Sequence, residues 1–322
     1  MTQTKTTLVA DIGGTNARFA LARGIEDISI DQLMILPTAD YASLQEAAEA
    51  YLAQIDGQRP TVAAIAIAGP VVGRQVTMTN CAWTFCREKL AADLGMAEVL
   101  VLNDFEAIAC ALPYLHAADL LKIGGGEIQD NGTKIVLGPG TGIGLAALTP
   151  VGDGWKVLTS EGGHVGFAPA DELERQILQT VKYKYPRVSV ERVISGSGFS
   201  TLYQAICSLQ GAEAEPLSPR EITQRALENP EGRCGQAVDI FCGILGSYAG
   251  DMAVTFNATG GVYLAGGILP KIQDFFINSR FRERFENKGR LTYVRDIPTL
   301  QILQKQPALI GAAARIRGHF IA

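Results

Sequence analysis

Two stretches of this chain carry the same pattern, and that pattern restricts what it can fold into. Residues 7–22 read TLVADIGGTNARFALA, and residues 134–149 read KIVLGPGTGIGLAALT. Each is an apolar run of strand length, a turn made mostly of glycine, and a second apolar run. So short a connection leaves no room for a crossover helix, and each pair must return on itself as a β-hairpin. A hairpin of this kind at the start of each half points to a duplicated domain; two unrelated hairpins are the plainer alternative. Two such turns facing each other across a cleft would suit a polyphosphate.

The remaining pattern is α/β. Further strands are expected at 28–36, 61–68, 98–102, 262–265 and 300–304, the run at 61–68 being apolar enough for a strand covered on both faces. Helices are expected at 43–55, 105–112, 172–184, 199–209, 219–227, 236–256 and 308–317, with Leu44, Ala47, Ala48, Tyr51 and Leu52 on one face of the first. Because 322 residues are many for one core, two domains are expected.

Composition narrows the function. Hydrophobic residues make up 47% and charged residues 19%, a globular balance. The net charge of −5, without a long basic run, argues against nucleic acid and against an anionic membrane surface as partners. The six cysteines form no CxxC pair, and there are three histidines (His116, His164 and His319), so the clustered ligand pairs of a structural zinc site are missing. Scattered cysteines read as small buried hydrophobes in a reducing compartment. The N-terminal MTQTKTTLVADIGG has no apolar signal core, and the apolar stretch at 240–254 is broken by Asp251, which makes it a buried helix rather than a membrane span. A cytoplasmic protein is expected.

Several short motifs carry chemistry. In Asp11-Ile12-Gly13-Gly14-Thr15-Asn16, two residues without Cβ let backbone N–H groups approach an anion. Thr15 and Asn16 add side-chain donors, and Asp11 at the strand end can hold Mg²⁺, through water. The second loop, residues 138–144, contains Gly140, Thr141 and Gly142. It lacks the Gly-Lys-Ser/Thr of a P-loop and the third glycine of a dinucleotide fingerprint, and a strand-to-strand phosphate clamp fits it better. Asn103 and Asp104 follow an apolar strand, at the end where open α/β sheets bind ligands. Asp104 suits a base that accepts the proton of an attacking alcohol, or else a simple helix cap. Glu161 and His164 flank two glycines and suit a polyol better than a metal, or His164 is a structural core residue. Glu191 is a third candidate carboxylate. The strand ending in Gly266-Gly267 would let a flat ring or ribose approach the backbone.

Taken as a set, these segments resemble the bacterial glucokinase family of hexokinase-like sugar kinases. The likeness rests on DIGGTNAR (11–18), NDFEA (103–107), GPGTGIG (138–144), EGGHVGFAP (161–169), ERVISG (191–196), LAGGI (264–268), FENKGR (285–290) and PALIGAAA (307–314), in order along nearly the whole chain. The resemblance implies two ribonuclease-H-like domains of the actin-type ATPase fold, each a mixed sheet flanked by helices, with the active-site cleft between them. The smaller would comprise residues 1–108 plus 302–322 and the larger 109–301. It also implies an ATP-dependent glucokinase that uses Mg²⁺ and yields glucose 6-phosphate, the entry step of glycolysis. Asp104 matches the catalytic base; Asn103, Glu161, His164 and Glu191 match glucose contacts. Gly13, Gly14, Thr15, Asn16, Gly140, Thr141, Gly142, Gly266 and Gly267 match ATP contacts. A homodimer whose domains close on sugar is implied too.

The chain departs from the family pattern where SGPG is common and Ser195-Gly196-Ser197-Gly198 stands instead, which removes proline's fixed φ from that turn. The related zinc-containing repressor/kinase group carries cysteines shortly after its EGGH-like segment; residues 168–187 contain none, which places the chain outside that group. Other readings are kinases of fructose, mannose or an N-acetylhexosamine, a sugar-sensing transcriptional regulator, and a chaperone-like ATPase. The regulator would need a DNA-binding segment ahead of Asp11, where ten residues stand.

Overall fold

A computed structural model describes residues 6–57, 59–78, 81–317 and 320–321. His319 and the first five residues of the N-terminal segment lie outside the described residues. The chain divides into two compact units, one of Met1–Asp119, Leu148–Thr159 and Leu303–Ala322, the other of Leu120–Ala147 and Ser160–Ile302. The boundary expected at 108/109 falls within a helix, Asp104–Ala111, which stays whole in the first unit.

The first unit is built on strands β1 (Thr7–Ile12), β2 (Asn16–Arg23), β3 (Ser29–Pro37) and, after helix α1 (Leu44–Leu52), β4 (Val62–Ile67). A short hairpin β5/β6 (Gln75–Thr77, Thr84–Cys86), helix α2 (Arg87–Asp93), strand β7 (Glu98–Asn103) and helix α3 (Asp104–Ala111) follow. The sheet order is β3-β2-β1-β4-β7. β1 runs antiparallel to β2 and parallel to β4, and β4 is parallel to β7. Ile12, Ile67 and Asn103 stand in register, so the three parallel strands end at one edge. In α1, Ser43 caps the first turn by accepting from Glu46 N, and the five expected residues are buried.

The C-terminal helix, Pro307–Arg317, packs on α3. Their approach depends on Gly311: a Cβ there would overlap the carbonyl oxygen of Ala107 and stand 2.9 Å from Ala111 N. The small residues of NDFEA and PALIGAAA thus seat two helices backbone against backbone.

The second unit begins with β8 (Leu120–Gly124) and β9 (Lys134–Pro139), then β10 (Ile143–Val151), whose far end and most of β11 (Gly154–Ser160) belong to the first unit. Helices α4 (Glu172–Lys182), α5 (Glu191–Ile194), α6 (Gly196–Leu209), α7 (Pro219–Glu228) and α8 (Arg233–Phe256) come next. The chain then forms β12 (Val262–Leu264), α9 (Gln273–Ile277), α10 (Phe281–Glu286) and β13 (Thr299–Ile302). Within this unit β10, β9, β12, β13 and β8 lie side by side in that order, β12 parallel to both β9 and β13. The run β10-β9-β12-β13 repeats the layout β2-β1-β4-β7. Each unit therefore carries a mixed sheet flanked by helices, built outward from the hairpin that the sequence repeat marks.

Helix α8 is long and apolar enough to cross a membrane, yet Ile240, Phe241, Ile244, Leu245 and Tyr248 are buried in the core of its own unit. Phe241 stacks on Phe199 of α6 at 4.2 Å between centroids. Its start at Arg233, one turn earlier than expected, follows from Gly235, where a Cβ would overlap the Pro230 carbonyl.

Candidate active site

In the first unit the candidates gather at the carboxyl edge of the parallel strands. The turn after β1 is three residues long, and Gly13 N donates to Asn16 O at 2.9 Å. Asn16 is not in the turn, as its grouping with Thr15 suggested, but is the first residue of β2, opposite Pro37. Thr38, absent from the motif, braces the turn twice: its Oγ1 donates to Gly14 O at 2.9 Å and its N to Thr15 O at 3.0 Å. Asp11 is ion-paired with Arg18 of β2 at 3.1 Å. Burial pushes the Asp11 carboxyl above the usual carboxylate range, and the Arg18 guanidinium pulls it back.

At the end of β7, Asn103 and Asp104 divide two tasks. Asn103 Oδ1 accepts from Phe105 N and Glu106 N, at 2.9 and 3.2 Å, and so caps α3. Its Nδ2 donates to Gly69 O at 3.1 Å, which ties the loop after β4 to the same edge. Asp104 is the first residue of the helix, and the capping role its position allowed falls to its neighbour. Its Oδ1 accepts from the next N–H, Phe105 N, at 2.9 Å, which fixes the carboxylate at the helix N-terminus.

In the second unit one set of contacts gathers the other candidates. The glycine loop is shorter than the expected 138–144, because Gly138 and Pro139 end β9 and Ile143 starts β10. Gly138 allows this: its missing Cβ gives room to the backbone of Ala265. Gly266, at φ +92°, and Gly267 follow that residue, with Gly266 lying against the Pro139 carbonyl. Glu161-Gly162-Gly163-His164 forms a 3₁₀ turn seated on β10, since a Cβ on Gly163 would stand 2.9 Å from that of Ile143. The segment beyond it pairs with the approach to α5, Phe167 N donating to Val188 O and Val190 N to Val165 O. Arg187 adds a bond from its Nη2 to the His164 carbonyl at 2.7 Å. The side chains of Glu161 and His164 are exposed, and that of Glu191 turns to the loop, where its Oε2 accepts from Ile143 N at 3.0 Å.

Serine side chains hold the 195–198 turn, which lacks the proline. Ser195 is fully buried, its Oγ accepts from Gly198 N at 3.3 Å, and Ser197 Oγ lies 3.1 Å away. Thr38 and Gly69 lie beside the candidate residues but in none of the motifs, whereas Gly196 and Ile143 lie within motifs and contribute backbone groups that the motifs did not single out. They act through backbone groups or from distant segments.

The donor set fits a nucleotide. Gly140 and Gly267 have nothing within 4 Å of where a Cβ would stand, so these backbones are open to a close-lying phosphate or ribose. Among the described residues no group of three or more metal-ligating side chains forms. A single carboxylate at Asp11 matches Mg²⁺, which keeps several waters and is shared with phosphate oxygens.

Known proteins decide the family. A sequence profile of the Glucokinase family matches residues 8–319. The chain is 45% identical over 315 residues to a glucokinase from Chromobacterium violaceum, spanning 97% of this chain and 89% of that one. It is 46% identical over 308 residues to a glucokinase from Nitrobacter hamburgensis, spanning 95% of each. This chain belongs to the glucokinase family. The crystal structure of a glucokinase from an Antarctic psychrotroph superposes with a TM-score of 0.90 at 38% identity, covering 97% and 99% of the two chains. A ROK hexokinase from Thermus thermophilus, 19% identical with a TM-score of 0.67 over 96% of this chain, shares the fold. As a member of the glucokinase family, the chain is a sugar-phosphorylating enzyme with the actin-like ATPase fold, as its motifs led one to expect.

Proposed function

We propose that the enzyme moves the γ-phosphate of ATP to the 6-hydroxyl of D-glucose, with Asp104 as the base. One observation carries the assignment of the base. At the carboxyl edge of the parallel sheet Asn103 takes the cap of α3, and Asp104 stands beside it as the first residue of the helix, its carboxylate oriented there by Phe105 N. Asp104 accepts the proton of the 6-hydroxyl as that oxygen forms its bond to phosphorus, and ADP leaves. Asn103, Glu161, His164 and Glu191 bond the other hydroxyls and hold the sugar in one orientation. The turn 13–15 with Asn16 beside it, the loop 140–142 and Gly266-Gly267 offer backbone N–H groups and open glycine faces to the nucleotide. Mg²⁺, held through water by Asp11, would neutralise charge on the phosphates. Exposed Glu161 and His164 side chains suit an incoming ligand better than a structural role. From the family resemblance we also propose a cytoplasmic homodimer.

Coupled ATP consumption with Mg²⁺ against glucose, fructose, mannose, N-acetylglucosamine and no sugar tests this reading. Strong preference for glucose over a near-zero background is expected. Preference for another hexose would overturn the substrate, and hydrolysis that ignores sugar would overturn the reaction. Sedimentation velocity tests the dimer.

A further inference from the structure

The glycine loop of the second unit is braced by the segment that begins α5 and α6. Gly196 N donates to Gly140 O at 2.8 Å at one end of the loop, and Glu191 Oε2 accepts from Ile143 N at 3.0 Å at the other. Across the loop itself Gly140 N donates to Gly142 O at 2.8 Å. Three residues are thus pinned by two bonds from a stretch about fifty residues away in sequence.

Gly142 sets the fit of this brace. A Cβ at that position would overlap Glu191 Oε2 and stand 3.1 Å from Glu191 Cδ. Its φ lies outside the left-handed range, so alanine meets no backbone objection. What alanine would displace is the far end of a flexible side chain. The carboxylate must move, while the fold need not.

We infer that Glu191 serves two ligands at once: one carboxylate oxygen holds the phosphate loop through Ile143 N–H, while the other is left for a sugar hydroxyl. The backbone geometry of the nucleotide loop therefore governs sugar affinity, and a bound sugar in turn steadies the loop. Such coupling is reciprocal by thermodynamic necessity. Glu191 is in this respect a positioning residue, and the inference rests on the proposed sugar contact at that side chain.

The test is calorimetric titration of the full-length enzyme with glucose in the absence of nucleotide. Glu191→Ala is expected to weaken glucose about tenfold, the loss of one charge-assisted hydrogen bond. Gly142→Ala, in a loop that the reading assigns to phosphate, is expected to weaken it by a similar factor. The double variant should be no weaker than the poorer single one, since both remove the same contact. Ile143→Pro removes the N–H and sets the ring Cδ where its hydrogen stood, so the carboxylate loses this partner and must move, at the first residue of a strand where proline is tolerated. It should reproduce the loss, with Ile143→Val near native as its control, and it decides the matter if Gly142→Ala fails to fold. If Glu191→Ala loses tenfold while Gly142→Ala and Ile143→Pro stay within twofold of native, the coupling is wrong and the sugar contact stands. Losses that add in the double variant overturn the coupling as well. Native affinity in Glu191→Ala would instead remove the sugar contact, and the inference with it.

Discussion

The two glycine turns look alike in sequence and are held in different ways. The turn at 13–15 is braced by Thr38, which lies just beyond the strand that follows β2, and by a backbone bond of its own. Its carboxylate, Asp11, is answered by Arg18 across the hairpin, seven residues on. The turn at 140–142 also has a backbone bond of its own, but among the described residues its further supports come from Glu191 and Gly196, about fifty residues away. The first turn is nearly a closed local device, while the second depends on the distant segment that begins α5 and α6. On this contrast, changes at the first turn and at Asp104 should fall on turnover and nucleotide use, and changes at Glu161, His164 and Glu191 on sugar affinity.

The largest effect is expected at the base. Asp104→Asn keeps the shape of the side chain and removes its basicity, so kcat should fall by roughly 10²–10⁴-fold with glucose KM little changed. Normal turnover with weakened glucose would move Asp104 into the binding set and blur the contrast. Next come the exposed polar groups of the 3₁₀ turn. His164→Ala and Glu161→Ala should each raise glucose KM by about tenfold while kcat moves less, read from steady-state kinetics over a glucose series. A collapse of kcat alone in either variant would break the division of labour.

A third test concerns packing. Gly311→Val must separate the C-terminal helix from α3, and overpacking of this kind costs about 1–3 kcal/mol. Denaturant melts should show the loss, together with reduced kcat, because α3 carries Asp104 on its first turn; unchanged stability would mean that the helices accommodate the branch. Smaller still is Thr38→Val, which removes one hydroxyl donor from Gly14 O at nearly equal volume. A loss of about 1 kcal/mol corresponds to a rise of some fivefold in the KM for ATP, with glucose affinity unaffected. A pH effect comes last. Burial raises the Asp11 pKa and Arg18 lowers it, so Arg18→Met should raise it further. The carboxylate then ionises only at higher pH, and the acid limb of Mg²⁺-dependent activity should shift upward; an unmoved limb would separate Asp11 from the metal.

Much of this arrangement was legible because it is local. Strand, glycine turn and strand are contiguous, and the apolar runs at 61–68 and 98–102 become β4 and β7 because strands covered on both faces need no alternation. The short pieces left little trace. β5 and β6 have three residues each, α9 and α10 have five and six, and none is long enough to display a period. β8, LLKIG, follows directly on the apolar and polar mixture LPYLHAAD and has no boundary signal. Within the site, residues that act by side chain stood out by type. Thr38 and Gly69 contribute a hydroxyl and a carbonyl from elsewhere in the chain, and a glycine or threonine in isolation does not announce such a task. Asp104 shows the reverse case: its type gave two readings, cap or base, and the cap is taken by Asn103.

The seat of Gly311 on α3 has a consequence for the order of events during synthesis. Residues 307–317 leave the ribosome roughly two hundred residues after α3, a delay of about 10–40 s at ordinary elongation rates. Over that interval the helix carrying Asp104 lacks its buttress, although the first glycine turn and both of its strands already exist. A nascent chain could then hold its early secondary structure without a fixed base. Competence to consume ATP would come with the arrival of one late helix, which makes that helix a timer as well as a support.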